Sequence, residues 1–299
     1  MKFVYSEQYD LNLGTHVFPS IKYRLIKEKL LRDGIAAPQD FVEAPAASDD
    51  DVALVHHREY IRKLQAGKLS YLEIMRLEIP YSPELVRAVW LSAGGSILAG
   101  RLALKDGVAV NVGGGFHHAY PDHGEGFCVL NDIAIGIRKL QKEGSIERAM
   151  TVDCDVHQGN GTAAIFGGDH TVFTLSIHQE HNYPYPKPPS SLDINLGDGV
   201  EDAEYLDELR KGLDAALGEF QPDLIAYVAG ADPYENDQLG GMKISLAGLE
   251  RRDRLVFEKA SAKNIPVFVC LAGGYARRVE DTVQIHTNTM RIAKEFVHQ

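Results

Sequence analysis

Residues 151 to 162 read Thr-Val-Asp-Cys-Asp-Val-His-Gln-Gly-Asn-Gly-Thr. Met150, Thr151 and Val152 lead in as a short apolar, β-branched run, the composition of a strand buried on both faces. Asp153, Asp155 and His157 then alternate with Cys154 and Val156 until Gly159 and Gly161 break the run. Side chains two apart on a strand share a face, so the spacing predicts two carboxylates and an imidazole side by side. Burying that much charge is costly unless a partner compensates it. An ion-pair network would need more cations than this segment brings, so the pattern points to a metal site.

Outward from this stretch the chain alternates strands and helices. Val108–Val112 is an apolar run that enters Gly113-Gly114-Gly115-Phe116-His117-His118, and Val172–Ile177 ends in Ser176-Ile177-His178. Leu224–Val228 is followed by Ala229-Gly230-Ala231-Asp232, and Val267–Leu271 by Gly273-Gly274-Tyr275. Phe3–Tyr5 reads as an opening edge strand and Ile194–Leu196 as a short one. Helices are predicted from Ser20, as cap, to about Arg32, with Ile21, Leu25, Lys29 and Leu30 at helical spacing, and from Ser82 to Leu104. Gly94, Gly95 and Gly100 within the second of these mark close packing. Others run from Asn131 to Gly144, over 201–220 and from Ser245 to about Lys263, with one more closing the chain. The proline-rich segment His181–Ser191 reads as a surface loop, functional or mobile. His56 and His57 have no acid spaced to join them and read as structural or surface residues.

The fold this implies is α/β: a single doubly wound, mostly parallel sheet with helices on both faces, one domain over residues 1–299. In such sheets ligands sit beyond the carboxyl ends of the strands. His117-His118, Asp153 to His157, Asp232 and Tyr275 all fall there.

The chain of 299 residues carries a formal net charge of −11 and no Lys/Arg block, which argues against direct nucleic-acid binding. Cys128, Cys154 and Cys270 sit in or beside apolar runs and read as reduced thiols, with no CxxC pair to hold zinc. Neither a signal sequence nor a membrane-spanning run is evident, so a soluble cytoplasmic protein is expected.

Asp155, His157 and Asp232 form an Asp₂His set that leaves a coordination position open, as catalytic zinc sites do. Oxygen-rich ligation would also accept iron(II), cobalt or manganese. His117 and His118 suit acid–base work, Asp153 can orient an imidazole, and Tyr275 can offer a phenol to an oxyanion. Singly, Asp232 reads as a helix cap and Tyr275 as a packed aromatic. Together the groups describe a metallohydrolase that attacks a carbonyl.

Gly-Gly-x-His-His, Gly-Phe-Cys-x-x-Asn-Asp, Asp-x-Asp-x-His-x-Gly-Asn-Gly-Thr, Gly-x-Asp and Gly-Gly-Tyr occur in this order. This set resembles the zinc-dependent histone deacetylase family, with its arginase-like fold and its acetylpolyamine and acetoin-utilisation relatives. The length and the run Asn236 to Gly241 look most like the short class IV branch and bacterial deacetylase-like amidohydrolases. The resemblance implies zinc on Asp155, His157 and Asp232, with His118 as general base and acid and His117 paired with Asp153. It implies that Tyr275 polarises the amide carbonyl, that Gly126 and Phe127 line a tunnel for a lysine-like chain, and that Gly274 lies near its floor. It also implies a potassium or sodium ion by Asp153, Ser176 and the backbone of Asp155, His157 and Ile177. The substrate would be an acylated lysine of a protein or peptide, or an acylated polyamine.

Two departures stand out. Asn160 occupies a position that is a second orienting aspartate in some members, and an amide stabilises an imidazolium less, so His118 should have a lower pKa. The loop Glu78–Pro83 lacks the aspartate that grips the substrate backbone in many members. A binuclear manganese ureohydrolase would need further bridging carboxylates. A catalytically silent acyl-lysine reader would lack Tyr275 or a ligand, and both are present.

Overall fold

In the computed structural model the chain begins with strand β1 (Phe3–Tyr5), helix α1 (Ile21–Arg32) and strand β2 (Phe41–Glu43). Short helices α2 (Asp49–Val52), α3 (Arg58–Ala66) and α4 (Tyr71–Leu77) precede the long α5 (Pro83–Asp106). Then come β3 (Val108–Asn111), α6 (Asp132–Lys142), β4 (Ala149–Asp153), α7 (Asn160–Phe166), β5 (Val172–Gln179) and β6 (Leu192–Leu196). The chain continues with α8 (Asp202–Glu219), β7 (Leu224–Val228), α9 (Leu246–Ser261), β8 (Val267–Cys270) and α10 (Val279–Ala293). Residues 1–297 are described, and 298 and 299 of the expected domain lie outside them.

Among the described residues all eight strands join one sheet in the order β2-β1-β3-β8-β7-β4-β5-β6. Every neighbouring pair is parallel, so the expected mostly parallel sheet is wholly so. Parallel neighbours need crossovers, which the helices supply. β3, β4, β7 and β8 are buried along their whole length. That is the state of strands covered on both faces, and it explains why their apolar runs do not alternate. α5 packs on α6, while α1, α8, α9 and α10 pack in succession as a second group. Among the described residues no helix is long and apolar enough to cross a membrane.

α5 starts where Ser82 accepts a hydrogen bond from the Leu85 amide and Pro83 takes the first helical position. Gly94 lets it approach the 45–47 connector, where a Cβ would strike the Pro45 carbonyl. Asn131 starts α6 by accepting from the Ala134 amide at 2.9 Å. This cap places the Gly115 and Phe116 amides on the Asp132 carboxylate and so shapes the loop that carries His117.

Two local expectations are corrected, and one strand is new. Ser20 precedes α1 but makes no side-chain cap, because its hydroxyl is exchanged with the backbone of Leu11. The buried face of α1 is Lys22, Tyr23, Ile26 and Leu30, with Ile21 exposed. Lys22 is wholly buried because its Nζ donates to the Ala272 carbonyl at 2.7 Å, and burial lowers its pKa to about 8. β2 has no counterpart in the sequence reading. It is a half-exposed, three-residue edge that exists by pairing with β1, Phe3 opposite Phe41.

Candidate active site

The central strands β3, β8, β7 and β4 are neighbours, and each delivers its functional group just past its last residue. The strand periodicity expected to carry Asp153, Asp155 and His157 together stops sooner, since β4 ends at Asp153. Asp155 and His157 lie in the bend that follows, so Asp153 faces one partner and the later pair another.

Asp153 accepts from His117 Nδ1 at 2.7 Å. Burial opposes charge on this ring, but Asp153 and Asp155 outweigh it and raise its pKa to about 9. His118 meets a neutral partner instead, with its Nδ1 2.6 Å from Asn160 Oδ1. Burial first, then the charges of His117 and His157, push its pKa well below the ordinary histidine range. Adjacent residues in sequence thus become one charged and one neutral imidazole.

Asp155, His157 and Asp232 form a fully buried group whose ligand atoms all lie within 4.8 Å of one another. His157 Nδ1 is 3.0 Å from Asp155 Oδ1 and 3.4 Å from Asp232 Oδ2. Each carboxylate is anchored by one oxygen: Asp155 Oδ2 accepts from the Gly273 amide and Asp232 Oδ1 from the Val156 amide, each at 2.9 Å. Asp232 Oδ2 is buried and receives no hydrogen bond. Such an orphaned acceptor is expensive unless a cation meets it. Burial and the Asp155 charge raise the Asp232 carboxyl to about 7. Burial disfavours charge on His157, yet the same two carboxylates lift it to about 10. A Cβ on Gly273 would run into both carboxylates, and one on Gly230 would lie 2.7 Å from Asp155 Oδ2. An oxygen-rich donor set, an unmet buried oxygen and glycine walls that keep the cradle open all suit a divalent cation.

Tyr275 is buried, and its amide donates to Asp237 Oδ2 at 2.7 Å. Burial, then Asp155 and Asp232, push its phenol pKa well above the ordinary value, so it stays a hydrogen-bond donor. Together with His118, His157, Gly126, Phe127 and Tyr183 it lines a cavity of about 210 Å³ that Glu78, Asn182 and Leu239 complete. Phe127 holds a left-handed backbone at φ 68° and follows Gly126 at φ 52°, which turns its ring toward Tyr275, 5.8 Å between centroids. Gly274, at φ 144°, lies against Thr282 and Ala231 and is not among the residues that line this cavity. Ser176 pairs with Asp153 in the β4–β5 register, and Ile177 follows it.

The histone deacetylase domain model matches residues 16–290. The chain belongs to the histone deacetylase family. It is 40% identical over 280 residues to an uncharacterised protein of Picosynechococcus sp., covering 94% of this chain and 93% of that one. It is 34% identical to histone deacetylase 2 of Arabidopsis thaliana over 94% of this chain and 77% of that one. A solved structure of a histone deacetylase homologue complexed with SAHA superposes with a TM-score of 0.82. That likeness covers 98% of this chain and 84% of the homologue at 24% identity, and it speaks for the fold alone. The family makes the chain an enzyme of the deacetylase class, a hydrolase acting on acetylated substrates.

Four functional neighbours escaped the sequence reading. Asp237 receives the Leu239, Gly240 and Tyr275 amides and so ties two site loops together. Its signal was the Asn-Asp-Gln-Leu-Gly-Gly turn, which was read only as a subfamily mark. Glu125 and Tyr183 bond to each other at 2.8 Å beside His118. Tyr183 belongs to the proline-rich loop, and that loop is tied down where Gln158 donates to the Pro188 carbonyl at 2.8 Å. Arg252, wholly buried, donates to the Cys154 and Gly230 carbonyls and so braces the loops that carry Asp155 and Asp232. Nothing local in the sequence marks it.

Proposed function

We propose that this chain is a zinc-dependent amidohydrolase, with iron(II) able to stand in, that removes an acyl group from the amine of an acylated lysine or lysine-like substrate. What carries the reading is one cavity lined by His118, His157 and Tyr275, with His117 against His118 and the carboxylates of Asp155 and Asp232 against His157. Phe127, Tyr183 and Tyr275 give that cavity aromatic walls suited to an aliphatic chain. Residues 1–299 are taken as one catalytic domain, because all eight strands share a sheet.

Asp155, His157 and Asp232 would hold a divalent ion, which would supply Lewis acidity to this site. His118, kept neutral, takes the proton of the attacking water at Nε2 and later passes it to the leaving amine. His117, charged and held by Asp153, stabilises the negative charge that develops beside it. The Tyr275 hydroxyl donates to the carbonyl oxygen as it becomes an oxyanion. Gly126 and Phe127 flank the substrate chain and hold it in line with these groups. A potassium or sodium ion is proposed by Asp153, Ser176 and the backbone of Asp155, His157 and Ile177, on the support of the Asp153–Ser176 register.

The test is kcat/KM across an acetyl-lysine peptide, a myristoyl-lysine peptide and an acetylpolyamine. Turnover of a lysine peptide supports the reading and ranks the acyl chains. Preference for the polyamine narrows the substrate to small molecules. No turnover of any of the three refutes it.

A further inference from the structure

Asn160 presents an amide to His118, and an amide has two unlike sides. With its Oδ1 toward the ring, His118 Nδ1 must carry the hydrogen, and Nε2 keeps a lone pair. With the NH₂ toward the ring, the hydrogen moves to Nε2 and no base remains on that side. On the other side of the ring His117 Nε2 lies 3.1 Å from His118 Nε2, and a charged His117 donates there, which agrees with the first orientation; the direction of the amide itself is set at its far end.

The other end of the amide is held by Glu125, whose Oε1 accepts from Asn160 Nδ2 at 2.6 Å and from the Tyr183 hydroxyl at 2.8 Å. Its Oε2 lies 3.4 Å from His123 Nε2. Burial would raise this carboxyl, but His123, Tyr183 and Asn160 hold it below the ordinary range, so it is ionised. An ionised carboxylate only accepts, so the amide must offer it the NH₂ and turn its oxygen to His118. The Tyr120 hydroxyl also lies by Asn160. A hydroxyl can give or take, however, and does not impose a direction.

We propose that Glu125 is a positioning residue that fixes the direction of the Asn160 amide and thereby supports the His118 tautomer whose Nε2 carries no hydrogen. An aspartate at position 160 would need no such lock, since both its oxygens accept. The proposal rests on His118 being the base in the deacylase reading. Here a carboxylate acts on the base at one remove, through an amide.

The experiment combines ¹⁵N spectra of the histidine side chains, which report the protonated ring nitrogen without any turnover, with steady-state kinetics. Wild type should show His118 protonated at Nδ1. Glu125→Ala, and Glu125→Met as a variant that keeps bulk, should move hydrogen to Nε2. Both should lower kcat by about tenfold or more while KM stays within about twofold. Asn160→Asp in the Glu125→Ala background should restore Nδ1 protonation and most of kcat. A Glu125 that merely holds Tyr183 in the cavity wall would not be rescued this way. An unchanged tautomer in both Glu125 variants, or a double variant no better than Glu125→Ala, overturns the proposal. Failure of wild type to hydrolyse any acyl-lysine would sink the deacylase reading instead, and the spectra would still decide the lock.

Discussion

His117 Nε2 and His118 Nε2 stand 3.1 Å apart, and the far nitrogens of the two rings meet different partners. Asp153 sits behind the first and Asn160 behind the second. A carboxylate stabilises an imidazolium and an amide does not. The two rings are therefore unlike, one favouring the charged form and the other the neutral one.

His118→Ala should lower kcat by roughly 10²–10⁴-fold, the usual cost of losing a general base. His117→Ala should cost less, because its charge assists and does not transfer the proton. Steady-state kinetics of both variants on an acetyl-lysine peptide check the order. Wild-type kcat in the His118 variant would refute its role.

Tyr275→Phe removes only a hydroxyl, so fold and metal content should survive. kcat should fall by roughly 10²–10³-fold, as for other single oxyanion donors, with KM little changed. A normal kcat with a raised KM would make Tyr275 a cavity wall and nothing more.

The sheet was legible because its central strands are buried on both faces, which leaves unbroken apolar runs ending in glycine and polar clusters. The buried Asp155–His157–Asp232 group was legible because charges that a buried strand end cannot solvate stand out in such a run. What stayed hidden depends on long-range partners. Glu125 finds Asn160 35 positions away and Tyr183 58 away, and no local pattern announces either contact. Lys22 has no place in the sequence analysis, and the carbonyl that satisfies it, Ala272, comes from the far end of the chain. The adjacent His56 and His57 were read as structural or surface residues, and both readings hold. His56 is buried and accepts from the Asn131 amide at 2.9 Å, while His57 is the exposed residue just before α3.

His56 also sets a pH dependence. Burial lowers its pKa from 6.5 to about 4, so the folded state favours the neutral ring. Its contribution to stability is complete above pH 6.5 and is lost as pH falls toward 4, by roughly 3 kcal/mol. Urea midpoints between pH 7 and pH 4 should fall less steeply in His56→Gln than in wild type. Parallel curves would remove His56 as the source.

Removal and return of the metal tests the account most directly. Protein stripped by a chelator should hydrolyse no acetyl-lysine peptide, and stepwise zinc should restore the rate until one equivalent per chain is bound. Asp155→Ala, His157→Ala and Asp232→Ala should neither retain zinc by elemental analysis nor regain activity. Full turnover by the stripped enzyme, or stoichiometric zinc in all three variants, would contradict it.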